Sequence, residues 1–180
     1  MQALVLFAHG KESGPWGSKI RHLAQISERI GARVLSPDYS TMQNPEQRVQ
    51  HLLSLKLPPY SQLILVGSSM GGYVSTVASS TLKPDGLFLM APAFYLDGYA
   101  DQRPYSGAKL TTIVSGWKDE VIPIEHSFRF AKQAGCTLHI VDADHRLNDV
   151  LADIGEFFEL FLQKALSMSG EASVKHVPSM

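Results

Sequence analysis

The chain has 180 residues, 44% of them hydrophobic, and 16 lysines and arginines stand against 17 acidic residues for a formal net charge of −1. Charges so balanced and scattered offer no basic face to nucleic acid or to an anionic membrane, so neither is an expected partner and a small, overall uncharged molecule is. The single cysteine, Cys136, excludes an intrachain disulfide and a thiolate metal cluster, suits a reducing cytoplasmic compartment, and is expected to be a small buried hydrophobe.

The opening residues, MQALVLFAHG, carry an apolar run that His9 and Gly10 cut short. The run is too brief for a membrane span and lacks the basic start of a secretion signal, so a strand is expected over residues 3–8. Ile20, Leu23, Ala24, Ile26 and Ile30 recur at helical spacing, with Gly31 as the stop. A strand over 33–35 follows, then a helix opened by Pro45, carrying Val49, Leu52 and Leu53 and ended by Pro58 and Pro59. Residues 63–66 predict a strand and 73–82 a helix. Strands over 86–90 and 111–114 come next, then a helix over 125–134 closed by Gly135, a strand over 137–141 and a helix over 147–166.

These strand runs are short, β-branched or leucine-rich and mostly not alternating, which suits strands covered on both faces in a parallel sheet. Alternation of strand and helix repeated about six times implies right-handed crossovers and helices on both faces of about six mostly parallel strands. A chain of this length can bury one sizeable core, so a single domain is expected over 1–166. The final stretch, SMSGEASVKHVPSM, reads as a loosely packed C-terminal tail over 167–180.

At LILVGSSMGGYV a greasy run ends abruptly in small residues before apolar character resumes. Gly67-Ser68-Ser69-Met70-Gly71 fits G-x-S-x-G. A serine that must attack a carbonyl has to stand clear of the sheet, and a sharp strand-to-helix turn achieves this only where neighbouring side chains are absent. Composition alone produces the pattern in roughly one chain of this length in twenty, so its place after a buried strand and before a helix carries the weight. The bland alternative is a glycine-rich turn holding a phosphate on its amides, as in a flavodoxin-like anion site.

A serine needs a base, and the base needs an acid partner. Of the seven histidines, His22, His51 and His176 read as surface residues, and His126 and His139 as parts of a helix and a strand. His145, in IVDADHRL, follows the last strand at the carboxyl end of the sheet, from where it can reach Ser69. The favoured carboxylate is Asp119 in VSGWKDEVIP, after the strand over 111–114. Asp97, beyond the preceding strand, is a competitor that the sequence leaves open. Glu120 would point elsewhere, and Asp142 and Asp144 are too near His145 in sequence to orient its ring.

The order Ser69, Asp119, His145 is that of an α/β-hydrolase triad, and the chain resembles that superfamily, in particular its small lidless bacterial serine esterases. HGKESGPW, GSSMGG, GWKDEVIP and DADHRL stand where the superfamily has its oxyanion loop, nucleophile elbow, acid loop and histidine loop. The resemblance implies a minimal α/β-hydrolase fold without a lid domain, and a hydrolase of the carboxylesterase type that needs no metal or organic cofactor. It further implies oxyanion donors from the N–H groups of Met70 and Lys11, with Gly10 as the near alternative to Lys11, and a loop-holding role for His9. The superfamily's early antiparallel strands are not expected, since the His-Gly strand begins at Ala3, and the interval between residues 90 and 111 is too short for a lid of several helices. An open site suits small or short-chain esters, with Trp16, Met70, Phe94, Tyr95, Trp117 and Leu147 as expected walls. Thioesterase or small-peptidase activity, or a non-catalytic protein holding a small ligand, are the alternatives. The oligomeric state is not readable from the chain.

Overall fold

A computed structural model describes residues 1–168. The elements run β1 (Leu4–Ala8), α1 (Ser18–Arg29), β2 (Arg33–Leu35), α2 (Pro45–Ser54), β3 (Leu63–Ser68), α3 (Met70–Leu82), β4 (Gly86–Met90), β5 (Leu110–Gly116), α4 (Ile124–Ala134), β6 (Thr137–Val141) and α5 (Leu151–Ser167). The six strands pair in parallel in the order β2-β1-β3-β4-β5-β6. Of the expected tail, Ser167 ends α5, Met168 follows it, and the rest lies outside the described residues.

Strand side chains alternate between two apolar layers, which is why the runs are continuous rather than patterned. Leu4, Leu6, Leu63, Leu65, Leu87 and Leu89 face one layer, closed by Val49 and Leu52 of α2, Tyr73 and Val74 of α3 and Phe130 of α4. Val5, Phe7, Ile64, Val66, Phe88 and Met90 face the other, closed by Leu23 and Ile26 of α1 and by Ile154, Phe158 and Leu162 of α5. Each fully buried large aliphatic or aromatic side chain contributes about 2 kcal/mol, so the two layers rather than local helix propensity hold the sheet together.

Local signals set the helix ends. The Asn44 side chain accepts from the N–H groups of Glu46 and Gln47, and Pro45 occupies the first turn of α2. Gly135 closes α4 with φ 62°. Several boundaries differ from the sequence reading: β3 runs on to Ser68, α3 starts at Met70 rather than at residue 73, and β5 extends over Leu110–Gly116. α2 ends at Ser54, well before Pro58, because Leu55 turns extended and Leu55 and Leu57 leave the helix to pack against the α2–α3 layer. The final helix begins at Leu151, after a short 3-10 helix over Asn148–Val150.

The strand order reverses between β1 and β3: the chain leaves β1 toward β2, then crosses back to β3 and continues toward β6. Loops beyond the carboxyl ends of such a pair diverge and leave a crevice. The loop that begins at His9 and the one that carries Ser69 both open there.

Candidate active site

Ser69 joins β3 to α3 with φ 54° and ψ −119°, a conformation that costs a side-chain-bearing residue about 1–3 kcal/mol. Its neighbours over-determine it. The Ser69 N–H donates to the Met90 carbonyl at 2.9 Å, and the Ser69 carbonyl accepts from Gly72 N–H at 2.9 Å and Ala93 N–H at 3.0 Å. The flanking glycines are required by close approach. A Cβ on Gly67 would stand 2.3 Å from the Gly71 oxygen, and one on Gly71 would stand 1.9 Å from the Ala8 oxygen. Three other side-chain-bearing residues with positive φ, Ala91, Tyr95 and Leu147, lie in the loops after β4 and β6, so much of the backbone strain gathers at the carboxyl end of the sheet.

Ser69 Oγ lies 3.0 Å from His145 Nε2, and His145 Nδ1 lies 2.8 Å from Asp119 Oδ2. The other carboxylate oxygen, Asp119 Oδ1, accepts from the N–H groups of Val121 and Ile122, each at 2.8 Å. The Asp119 side chain is 2% exposed and that of His145 18%. Burial pushes the Asp119 carboxyl up, but the His145 hydrogen bond and the N–H groups of Ile122 and Val121 outweigh it and leave its pKa below the ordinary 3.8. An ionised Asp119 accepts a hydrogen bond from Nδ1–H of His145, which leaves Nε2 as the acceptor facing the serine hydroxyl.

Topology explains how a residue after β6 reaches one after β3. α5 packs against α1 and β4, so the chain leaving β6 turns back across the sheet and carries His145 over Ser69. The Asp144 carboxylate accepts from Arg146 and Leu147 N–H groups to form the turn, and Lys19 of α1 donates to the Arg146 carbonyl at 2.5 Å. The acid loop is fastened beside it: Trp117 N–H donates to the Val141 carbonyl and Lys118 N–H to that of Ala143.

The N–H of Met70, the first residue of α3, has no acceptor within the helix and sits at its positive end. Gly10 is buried, and a Cβ on it would lie 3.5 Å from Ser69 Cβ, which places the loop after β1 directly beside the serine. His9 is fully buried. Its Nε2 accepts from Tyr39 N–H at 2.9 Å and its Nδ1 donates to the Gly10 carbonyl at 2.7 Å. Burial holds the His9 pKa below 6.5, so the ring is a neutral brace.

The remaining candidates divide. Trp16 and Trp117 are 43% and 59% exposed, Tyr95 is half-buried, and Met70 is buried. Phe94 and Leu147, expected as walls, are fully buried. Phe94 stacks on Phe130 with ring centroids 4.4 Å apart, and Leu147 enters the α1–α5 layer as the anchor of the histidine loop. Both are thus corrected from pocket walls to core. Asp97 is exposed, Asp142 pairs with Lys118 at 2.6 Å, and Glu120 is exposed. His22 and His51 are half-buried rather than surface residues; His51 meets the Tyr39 ring edge-on, and His139 stacks on Phe157. His176 lies outside the described residues. Cys136 is half-buried, and burial pushes its thiol up to about 11. A cleft of about 440 Å³ beside Tyr105, Lys109 and Cys136 opens at the amino ends of β5 and β6, the wrong end of the sheet for Ser69.

Sequence reasoning missed Arg48. It is fully buried under the loop after β1, where its Nη1 donates to the carbonyls of His9 at 2.9 Å and Gly10 at 3.3 Å and its Nε to that of Met42 at 2.8 Å. The available signal was its position: in PEQRVQHLL it shares the inward stripe of Pro45, Val49 and Leu52.

The profile of the uncharacterised protein family UPF0227 matches residues 4–107. No curated protein matches the chain. Among solved structures, a candidate hydrolase of the alpha/beta superfamily from Xanthomonas campestris pv. campestris is 28% identical over 91% of this chain and 99% of its own, with a TM-score of 0.81. Est1E from Butyrivibrio proteoclasticus is 19% identical over 92% of this chain and 88% of its own, at a TM-score of 0.77, and a further structure of it holds ferulic acid. A lidless serine hydrolase from Xanthomonas campestris is 17% identical over 90% and 81%, at 0.65. The fold is that of the α/β-hydrolases, in a minimal form without a lid.

Proposed function

The chain belongs to the UPF0227 family, and from that premise and its α/β-hydrolase fold we propose that it is a serine hydrolase that cleaves small or short-chain carboxylic esters through an acyl-enzyme on Ser69. One observation carries the reading: the hydrogen-bonded row from Ser69 Oγ through His145 to a buried Asp119 whose two oxygens are both engaged.

In the proposed cycle Ser69 Oγ attacks the ester carbonyl carbon as His145 Nε2 takes its proton. Asp119 holds the imidazole and stabilises the imidazolium without itself being protonated. The carbonyl oxygen becomes an oxyanion that accepts from the N–H groups of Met70 and Lys11, where one lost donor costs about 3 kcal/mol of transition-state stabilisation. Collapse breaks the bond to the alcohol, which leaves with the proton from His145. Water then attacks the acyl-enzyme by the same steps and releases the acid.

The substrate range follows from the surroundings. Residues 91–109, where a lid would be inserted, contain no helix, and their turns are fastened to α2 and α3 through Glu46 and Tyr73. A long acyl chain finds no wall to cover it there.

The reading is tested with p-nitrophenyl acetate, butyrate and decanoate. Acetate and butyrate should turn over with kcat/KM at least tenfold above decanoate, and Ser69→Ala should fall to the buffer rate. Equal turnover by Ser69→Ala, or a preference for decanoate, overturns it.

A further inference from the structure

Arg48 is a fully buried cation, and among the described residues no carboxylate forms an ion pair with it. Its Nη2 has no partner, and the Tyr39 ring lies 5.6 Å from the guanidinium carbon. Removing a cation from water without a counter-charge is expensive. Tying three loop carbonyls together does not require a charge, since neutral amides would serve. The charge therefore calls for its own explanation, and the position of those carbonyls supplies one.

Two donors converge on the Gly10 carbonyl: His9 Nδ1 at 2.7 Å and Arg48 Nη1 at 3.3 Å. That carbonyl and the Lys11 N–H belong to one peptide unit, which is trans. In a trans peptide the C=O and N–H point in opposite directions. Pulling the Gly10 oxygen inward toward the guanidinium therefore turns the Lys11 N–H outward, to the open side of the loop, where Lys11 is exposed and Gly10 lies against Ser69. A positive charge at the carbonyl end also draws electron density along the peptide and makes the N–H a stronger donor.

We propose that Arg48 is a positioning residue for acyl transfer: from beneath the loop after β1 it aims and polarises the Gly10–Lys11 peptide so that the Lys11 N–H receives the oxyanion formed at Ser69. The proposal rests on the serine-hydrolase reading above and deepens it. Arg48 touches no substrate. It acts through a peptide that does, and His9 is its partner in holding that peptide.

A purely structural tie and a positioning role give different results. The variants are Arg48→Met, which keeps the bulk and removes donors and charge, and Arg48→Lys, which keeps the charge with fewer donors. Rates are normalised to sites titrated by a fluorophosphonate. With positioning, Arg48→Met loses at least tenfold in kcat per titrated site on a short-chain ester while KM stays within twofold. It also binds a trifluoromethyl ketone, whose adduct on Ser69 carries an oxyanion, at least tenfold more weakly, and Arg48→Lys recovers part of both losses. Unchanged kcat per site and unchanged ketone affinity, with only a lower Tm, overturn the proposal. Should both variants fail to fold, wild-type protein with 15N label decides: the Lys11 amide and the Arg48 guanidinium resonances shift together on ketone binding, and an unmoved Lys11 amide overturns the role. Wild type that neither reacts with the fluorophosphonate nor binds the ketone brings down the serine-hydrolase reading and this role with it. A reactive wild type matched per site by Arg48→Met brings down the role alone.

Discussion

Gly71 lies so close to the end of β1 that a Cβ on it would stand 1.9 Å from the carbonyl oxygen of Ala8. The serine turn and the loop after β1 are thus one packed unit, and backbone rather than a flexible side chain blocks the space. Gly71→Ala should cost about 3 kcal/mol and abolish fluorophosphonate labelling, because the turn can yield only by moving away from that loop. Gly14→Ala, where nothing lies within 4 Å, should stay within about 0.5 kcal/mol of wild type. Thermal unfolding of the two variants side by side checks this, and equal stabilities contradict it.

Asp119→Asn should leave the acid loop folded, since the amide oxygen can still accept from Val121 and Ile122. Its NH2 would then face His145 Nδ1, and the ring would turn to the tautomer that presents Nε2–H to the serine. The expected loss in kcat is about 10³- to 10⁴-fold, read by steady-state turnover of an acetate ester. Full activity in Asp119→Asn would shift the acid role to another carboxylate, with Asp97 next in line.

Two histidines, the buried His9 and the half-buried His139, set a stability window. His9 and His139 both have pKa values lowered from 6.5, for His9 chiefly and for His139 wholly by burial, which disfavours the imidazolium. The unfolded chain takes up these protons near pH 6.5 while the folded chain resists, so their stability contribution is full above 6.5 and is lost as pH falls through that value toward the lowered folded values. Asp119 behaves likewise further down, with its contribution full above 3.8 and lost below it. The Tm should therefore fall between pH 7 and pH 5.5, with a shallower slope in His139→Gln. A flat profile over that range contradicts the burial argument.

Phe94 and Trp117 separate packing from recognition. Phe94→Ala removes a ring stacked on Phe130 inside the core and should cost about 3–5 kcal/mol. Trp117, 59% exposed beside the acid loop, should change KM for esters when replaced by Ala while stability moves by less than about 1 kcal/mol. The reverse pattern would return Phe94 to the substrate pocket.

What was legible in the sequence is what backbone chemistry punctuates. Glycines mark the serine turn because two backbones must pass within side-chain distance of each other, and continuous apolar runs mark the strands because both faces are covered. Chain order after β3, β5 and β6 singled out Ser69, Asp119 and His145, and their meeting in space depends on α5 folding back over β4. Arg48 stayed hidden because a charged residue on a helix ordinarily reads as solvated, and only the loop packed above α2 makes it buried. Leu147 and Phe94 lie in the core, and their burial stayed hidden for the opposite reason: sequence proximity to a candidate catalytic loop does not say whether a side chain turns toward solvent or inward. The early end of α2 was likewise set by where Leu55 and Leu57 pack, not by Pro58.

The most direct measurement is mass mapping of the wild-type protein after reaction with a fluorophosphonate. A single adduct on Ser69, absent from Ser69→Ala and strongly slowed in His145→Ala, is the predicted result. An adduct on another residue, or none at Ser69 in folded wild-type protein under excess reagent, would contradict nucleophilic chemistry at this serine.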